Sequence, residues 1–314
     1  KKITSKSAFS VFKSKKHFST LNLPAIDVAK YLNKSEGWKS ECKIVSDCLH
    51  ETGVLVIKDP RVKEENNQVF IRQMEEYYYR ESKNYYKGIA SADMKPEYHY
   101  QVGATPEFIE KARQHCDTFK DYSDEHKPVT ECPPVFDSKW RFFWSMGEKD
   151  PSEKDMMIYD NVIAEGFPDW EKNMNSWGTH MKEGCEVVSQ MAAVGLGLPE
   201  NSMLDKMKYA AHLLAPTGSD LGKFEVNDIF AGVHYDLNYL TIHGKSNYGG
   251  LYIWLRNGEK KRVTVPDGCL LLQAGMQFEY LTGGEILAGF HEVLYTQDVY
   301  DNVQKKKEEN KQLG

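Results

Sequence analysis

The chain of 314 residues carries 40 Lys and Arg against 46 Asp and Glu, for a formal net charge of -6, with 40% hydrophobic and 12% aromatic residues. That length allows one or two domains, and the apolar share is enough for a packed core, which excludes disordered and fibrous classes. The acidic balance argues against a nucleic-acid partner and no stretch approaches the roughly 18 apolar residues of a membrane span, so small-molecule chemistry is the default expectation.

Residues 1–20 read as a basic arm. Lys1, Lys2, Lys6, Lys13, Lys15 and Lys16 all precede the first acid, Asp27. The arm is either solvated or the remnant of a transit peptide for organelle import. Leu23 to Asp27 then lead to a helix around Cys42 to Glu51 and to a short buried strand, Gly53 to Ile57. Phe70, Met74, Tyr77 and Tyr78 follow the spacing of one buried helix face, predicting a long helix over 65–87. Trp140 to Trp144 form an aromatic run that reads as a core strand. Trp177, Met181, Cys185, Val188 and Ala192 mark another helix, ending near Gly195-Leu196-Gly197-Leu198-Pro199. Its GxG follows a helix instead of a strand, so it is no dinucleotide loop.

From Tyr209 onward the pattern changes to short apolar runs between turns. Strands are expected over 209–215, 229–235, 239–243, 251–256, 261–265, 269–273, 278–282 and 290–296, with turns at Asn257-Gly258 and Pro266-Asp267-Gly268. The expected fold class is α+β or mainly β, a sandwich or jelly roll braced by N-terminal and central helices. A single domain over 21–314 divides into a helix-rich part (21–205), a β core (206–296) and a charged tail or inserted loop (297–314). The six cysteines, Cys42, Cys48, Cys116, Cys132, Cys185 and Cys269, form no CxxC pair. They are expected mostly as small buried hydrophobes in the cytoplasm or another reduced compartment.

Three residues carry the chemistry: His234, Asp236 and His291. Alternate strand residues share a face, so His234 and Asp236 can aim at one point, and a strand 55 residues further on can supply a third ligand. Two imidazoles and one carboxylate on one face of an octahedron leave open positions and suit non-haem Fe(II). By itself an HxD pair is better explained as a satisfied surface pair.

The surrounding residues add to this. Ala231-Gly232-Val233-His234-Tyr235-Asp236-Leu237-Asn238-Tyr239-Leu240-Thr241-Ile242-His243, Gly249-Gly250-Leu251, Pro266-Asp267-Gly268, Gln273-Ala274-Gly275, Leu281-Thr282-Gly283-Gly284 and Gly289-Phe290-His291-Glu292-Val293 appear in that order. The chain resembles the Fe(II)- and 2-oxoglutarate-dependent oxygenases of the isopenicillin-N-synthase-like group. The weaker N-terminal elements, Leu23 to Asp27 and Thr52 to Val56, extend the resemblance over most of the chain. It implies a distorted double-stranded β-helix in which His234, Asp236 and His291 bind iron. It also implies a reaction in which 2-oxoglutarate and O2 are consumed, succinate is formed and an unactivated C–H bond of a small molecule is oxidised, as in specialised metabolism. Hydroxylation, desaturation and oxidative cyclisation all remain open.

One departure from the family pattern concerns the far carboxylate of 2-oxoglutarate. The family places an Arg-x-Ser about nine residues after the last His, where this chain has Tyr300 and Asn302, and no arginine follows Arg262. The expected cation is an arginine on a strand after Gly314; the alternative is another cation, with Lys245 and Arg256 as candidates. Further site candidates are His212 for the cosubstrate, and Arg141, Tyr98, His99, Tyr235 and Asn238 for the substrate. Arg141, Lys223 and Arg256 lend some preference to an amino-acid-derived carboxylate. His243 lies an odd step after Asp236, which in an unbroken strand turns it to the opposite face. Two other classes compete: a non-redox metal enzyme using the same triad with Zn(II), and a non-catalytic jelly-roll binding protein. The oligomeric state is left unassigned.

Overall fold

A computed structural model describes residues 19–148, 150–152 and 159–312, so residues 1–18 of the basic arm lie outside the described residues. In chain order the elements begin with β1 (Thr20–Leu21), β2 (Ala25–Asp27), α1 (Val28–Leu32), α2 (Trp38–Thr52), β3 (Val54–Lys58) and α3 (Glu64–Tyr86). A 3-10 turn (Pro96–Tyr98), β4 (Gly103–Thr105), α4 (Cys116–Phe119), β5 (Trp140–Ser145), α5 (Trp170–Gly195) and α6 (Leu204–Met207) follow. The last part holds β6 (Leu213–Leu214), β7 (Thr217–Gly218), β8 (Ile229–His234), β9 (Leu240–His243), β10 (Leu251–Trp254), β11 (Lys260–Val263), β12 (Leu270–Ala274), α7 (Met276–Leu281), β13 (His291–Leu294) and α8 (Gln297–Gln312).

Two sheets position the site. One has the order β1-β11-β10-β13-β8 and the other β2-β3-β12-β9, so β8, β9, the β10–β11 hairpin, β12 and β13 alternate between them. Val54, Val56 and Leu271 of the second sheet share an apolar cluster with Ile253 and Val263 of the first, and this cluster joins the sheets. The other face of the second sheet is covered by α2 and α5, with α3 packed against α5, and the three helices present Val45, Leu49, Phe70, Tyr77, Trp177 and Val188 to the main core. These are the stripes that the three-four spacing predicts, and their burial supplies the main drive for folding.

The α2 helix ends at Gly53, whose φ of +69° favours glycine. A Cβ there would lie 2.5 Å from the Leu287 carbonyl oxygen, so the glycine also lets the 287–289 segment pass close by on its way to His291. Strand β8 lies at a sheet edge, and side chains from the 130–137 segment satisfy its outward amides. Gly232 N–H donates to Asp137 at 2.9 Å and Val233 N–H to the Thr130 hydroxyl at 2.7 Å.

Several expectations are corrected. Residues 276–281 form the helix α7 where a strand was expected over 278–282; a short apolar run does not distinguish the two by periodicity. Only Leu213 and Leu214 of the 209–215 segment join a sheet, because Tyr209 adopts a φ of +60°, which interrupts an extended run. Residues 297–312 are a helix whose Val299 and Val303 are buried while residues 305–309 are exposed. Finally, Cys116 and Cys132 form a disulfide, which departs from the reduced state expected for the cysteines. Of the four free thiols, Cys42, Cys185 and Cys269 are buried as expected.

Candidate metal centre

His234 closes β8 and stands opposite His291, the first residue of β13, in the antiparallel register. The two rings are 4.1 Å apart between centroids. Asp236 follows in the loop after β8, where its carbonyl accepts from Met276 N–H at 2.9 Å. Asp236 Oδ1 lies 3.7 Å from His234 Nε2 and 3.9 Å from His291 Nε2, and one donor atom from each residue falls within 4.8 Å of the others. The structure thus brings together all three residues singled out from the spacing.

Neighbouring groups orient each of them. His234 Nδ1–H donates to the Gly232 carbonyl at 2.7 Å. His291 Nδ1 lies 3.3 Å from the Gly289 carbonyl and 2.6 Å from the Gln273 amide. With Nδ1 engaged, each Nε2 lone pair is left for a cation. Thr241 donates its hydroxyl to Asp236 Oδ2 at 2.5 Å, which leaves Oδ1 facing the imidazoles, and Asn238 donates to Thr241 in turn at 2.8 Å. Two imidazoles and one carboxylate converging from one side fit a divalent transition metal with open positions. Thr241→Val is expected to weaken metal binding about 10- to 100-fold without unfolding the protein, as measured by metal titration alongside thermal melting.

Electrostatics favour the metal-ready state. Burial and the neighbouring His234 push His291 down to about 3, so its imidazole is neutral at pH 7. Burial opposes ionisation of Asp236, yet His291, the Thr241 hydroxyl and His234 hold it below the usual carboxylate range. Because the pKa of His291 is lower folded than unfolded, the unfolded chain takes up the proton first on acidification. Stability of the metal-free protein is therefore expected to fall from about pH 6.5 downward, and His291→Leu should flatten part of that slope in denaturant titrations across pH.

The other candidate residues have partners of their own. Tyr235 packs against His115 and Phe290, each at 5.0 Å. Asn238 supports Thr241. His212 places Nε2 3.1 Å from the Met207 carbonyl. Arg141 ion-pairs with Glu110, lies over Phe143 and reaches the Tyr100 carbonyl. Tyr98 stacks on Tyr159 at 4.2 Å and lines, with Lys95 and Asp160, an open cleft of about 530 Å³ that contains none of the three ligands; His99 is exposed on the adjoining turn. Among the candidate cations, Lys245 pairs with Asp267 and Lys223 with Glu107, while Arg256 donates to the carbonyls of His50, Gly284 and Glu285.

Three residues with a part in the site do not stand out for it in the sequence. Gln273 is the lone polar residue in the buried run Leu270 to Ala274, and that isolation is a readable signal. Thr241 carries no such mark. His243 is expected on the opposite face, but residues 235–239 separate β8 from β9 and break the alternation on which that expectation rests. In β9, Ile242 points to α5, where its Cδ1 lies 2.7 Å from the position a Cβ on Gly184 would take. Thr241 and His243 therefore share the metal-facing side. Burial lowers the pKa of His243 while Asp236 opposes that shift.

No protein-family model matches the chain, and no curated protein does. Solved structures do resemble it. A full-length Neurospora crassa protein in complex with alpha-KG matches with a TM-score of 0.63 and 17% identity, over 88% of this chain and 80% of that one. JOX2 in complex with 2OG, Fe and JA matches with a TM-score of 0.61 and 12% identity, over 91% and 74%. The rice dioxygenase for auxin oxidation matches with a TM-score of 0.56 and 14% identity, over 88% and 79%. These neighbours do not single out the isopenicillin-N-synthase-like group. With two sheets, flanking helices and the His234-Asp236-His291 cluster in place, the chain has the fold of the 2OG-Fe(II) oxygenases.

Proposed function

We propose that the protein is a non-haem Fe(II)- and 2-oxoglutarate-dependent oxygenase that oxidises an unactivated C–H bond of a small molecule, and that its two sheets form the distorted double-stranded β-helix of that group. The observation that carries this reading is the oriented triad: two Nε2 atoms and Asp236 Oδ1 converge while their remaining polar atoms are engaged by Gly232, Gly289 and Thr241. Bound Fe(II), with 2-oxoglutarate and O2, supplies the oxidising chemistry when the site is loaded. The residues of this chain do the rest. His234 and His291 present imidazole nitrogens, and Asp236 supplies the negative charge that favours a dication. Thr241 and Gln273 limit the freedom of the ligands.

Hydroxylation, desaturation and ring closure all remain compatible with this site. An amino-acid-derived carboxylate gains no support from Arg141, Lys223 and Arg256, whose charged groups are engaged within the fold. The test is anaerobic loading with Fe(II) and 2-oxoglutarate, followed by exposure to oxygen while succinate and O2 consumption are measured. Slow succinate formation is expected without substrate, with stimulation when a small molecule that fits is added. Turnover of a substrate by purified protein without O2 and without 2-oxoglutarate would refute the reading.

A further inference from the structure

His243 is a polar residue in an apolar place. It stands opposite Leu271 in the β9–β12 ladder, and Leu271 belongs to the inter-sheet cluster with Val54, Val56 and Ile253. Its Nε2 is shut off from solvent and has no hydrogen-bond partner among the described residues. Buried side-chain nitrogens of this kind are seldom left unsatisfied, and where one is, an absent ligand or water is the usual reason.

The register says where this nitrogen lies relative to the metal centre. Thr241 bonds Asp236, and its cross-strand neighbour Gln273 bonds Gly289 and touches His291, so this face of β9 and β12 looks onto the three ligands. His243 is two residues further along the same face, about 7 Å from Thr241 by strand geometry, toward the apolar cluster. Asp236 and His234 both act electrostatically on His243, so it lies near the ligands, on the side where a dicarboxylate chelating a metal with one end would extend inward between the sheets.

We infer that His243 is a cosubstrate-binding residue whose Nε2–H donates to the distal carboxylate of 2-oxoglutarate. The inference rests on the function proposed above and adds a contact which neither the triad nor the family's Arg-x-Ser supplies. A neutral imidazole suffices, since the tautomer with its proton on Nε2 is a donor.

The test is anaerobic calorimetry on the Fe(II)-loaded full chain, titrated with 2-oxoglutarate and with 2-oxopentanoate, which has the same carbon count and lacks the distal carboxylate. His243→Leu should weaken 2-oxoglutarate binding about tenfold or more, leave 2-oxopentanoate within about twofold of wild type, and leave metal affinity unchanged. His243→Gln, which returns an N–H donor near the Nε2 position, should restore most of the difference. Equal changes for both acids, no change for either, or failure of His243→Gln to recover selectivity would overturn the assignment and leave His243 a structural residue. If the metal-loaded wild type binds neither acid, the inference falls together with the proposed function, an outcome distinct from loss of selectivity in the variant alone.

Discussion

Asp236→Ala is expected to leave a folded protein that no longer retains Fe(II). The carboxylate is the only anion among the three converging donors, and without it two neutral imidazoles face a dication. Residues that merely orient ligands cost about 10- to 100-fold in affinity when removed, so loss of a ligand should exceed that range. The fold should tolerate the change, because Asp236 lies in a loop and its side chain holds only Thr241 among described hydrogen bonds. His291→Ala should lose metal as well and also lower stability, since His291 is 5% exposed and packed beside Gln273 and His234. Metal content after anaerobic reconstitution, read together with thermal melting, checks both variants. Full metal content and succinate formation in Asp236→Ala would place the centre elsewhere.

The parts of this site that are legible in the sequence are those set by short-range periodicity. His234 and Asp236 are two residues apart, and their flanking residues resemble a known order of motifs, so both ligands can be named from the chain alone. The stripes of α3 and α5 are likewise legible, because every third or fourth residue repeats one environment along a helix. His243 escapes such a reading for a physical reason: strand parity holds only within one strand, and the 235–239 loop resets it while passing the chain from one sheet to the other. Gln273 and Thr241 act across ladders and loops whose register is decided by tertiary pairing, and single-sequence alternation carries no register. The α7 helix reads as a strand because Met276 to Tyr280 is short and alternates apolar with polar residues, while its helical form depends on contacts with the 236–239 loop: Met276 N–H donates to the Asp236 carbonyl and Gln277 N–H to the Asn238 carbonyl.

A second large effect is expected away from the metal, at Lys260 and Glu292, whose side chains are fully buried and ion-paired. Glu292 also accepts from Val129 N–H at 3.1 Å, Thr130 N–H at 3.1 Å and the Thr130 hydroxyl at 2.8 Å, while the Lys260 ammonium lies near the rings of Tyr252 and Trp254. Glu292→Leu removes the carboxylate that pairs with the buried Lys260 ammonium and accepts from three donors, and should cost about 3–5 kcal/mol in urea unfolding. Lys260→Met should cost less, because the carboxylate keeps its three neutral donors. The double variant should recover only part of the loss: it removes both charges, as a hydrophobic replacement can do at little cost, but leaves the amides of residues 129 and 130 unsatisfied. Thr130 also accepts from Val233 N–H beside His234, and Glu292 follows His291 directly, so Glu292→Leu should lower metal affinity along with stability. A double variant as stable as wild type would show that the grip on residues 129 and 130 contributes nothing, and unaltered metal affinity in Glu292→Leu would separate this buried pair from the metal centre.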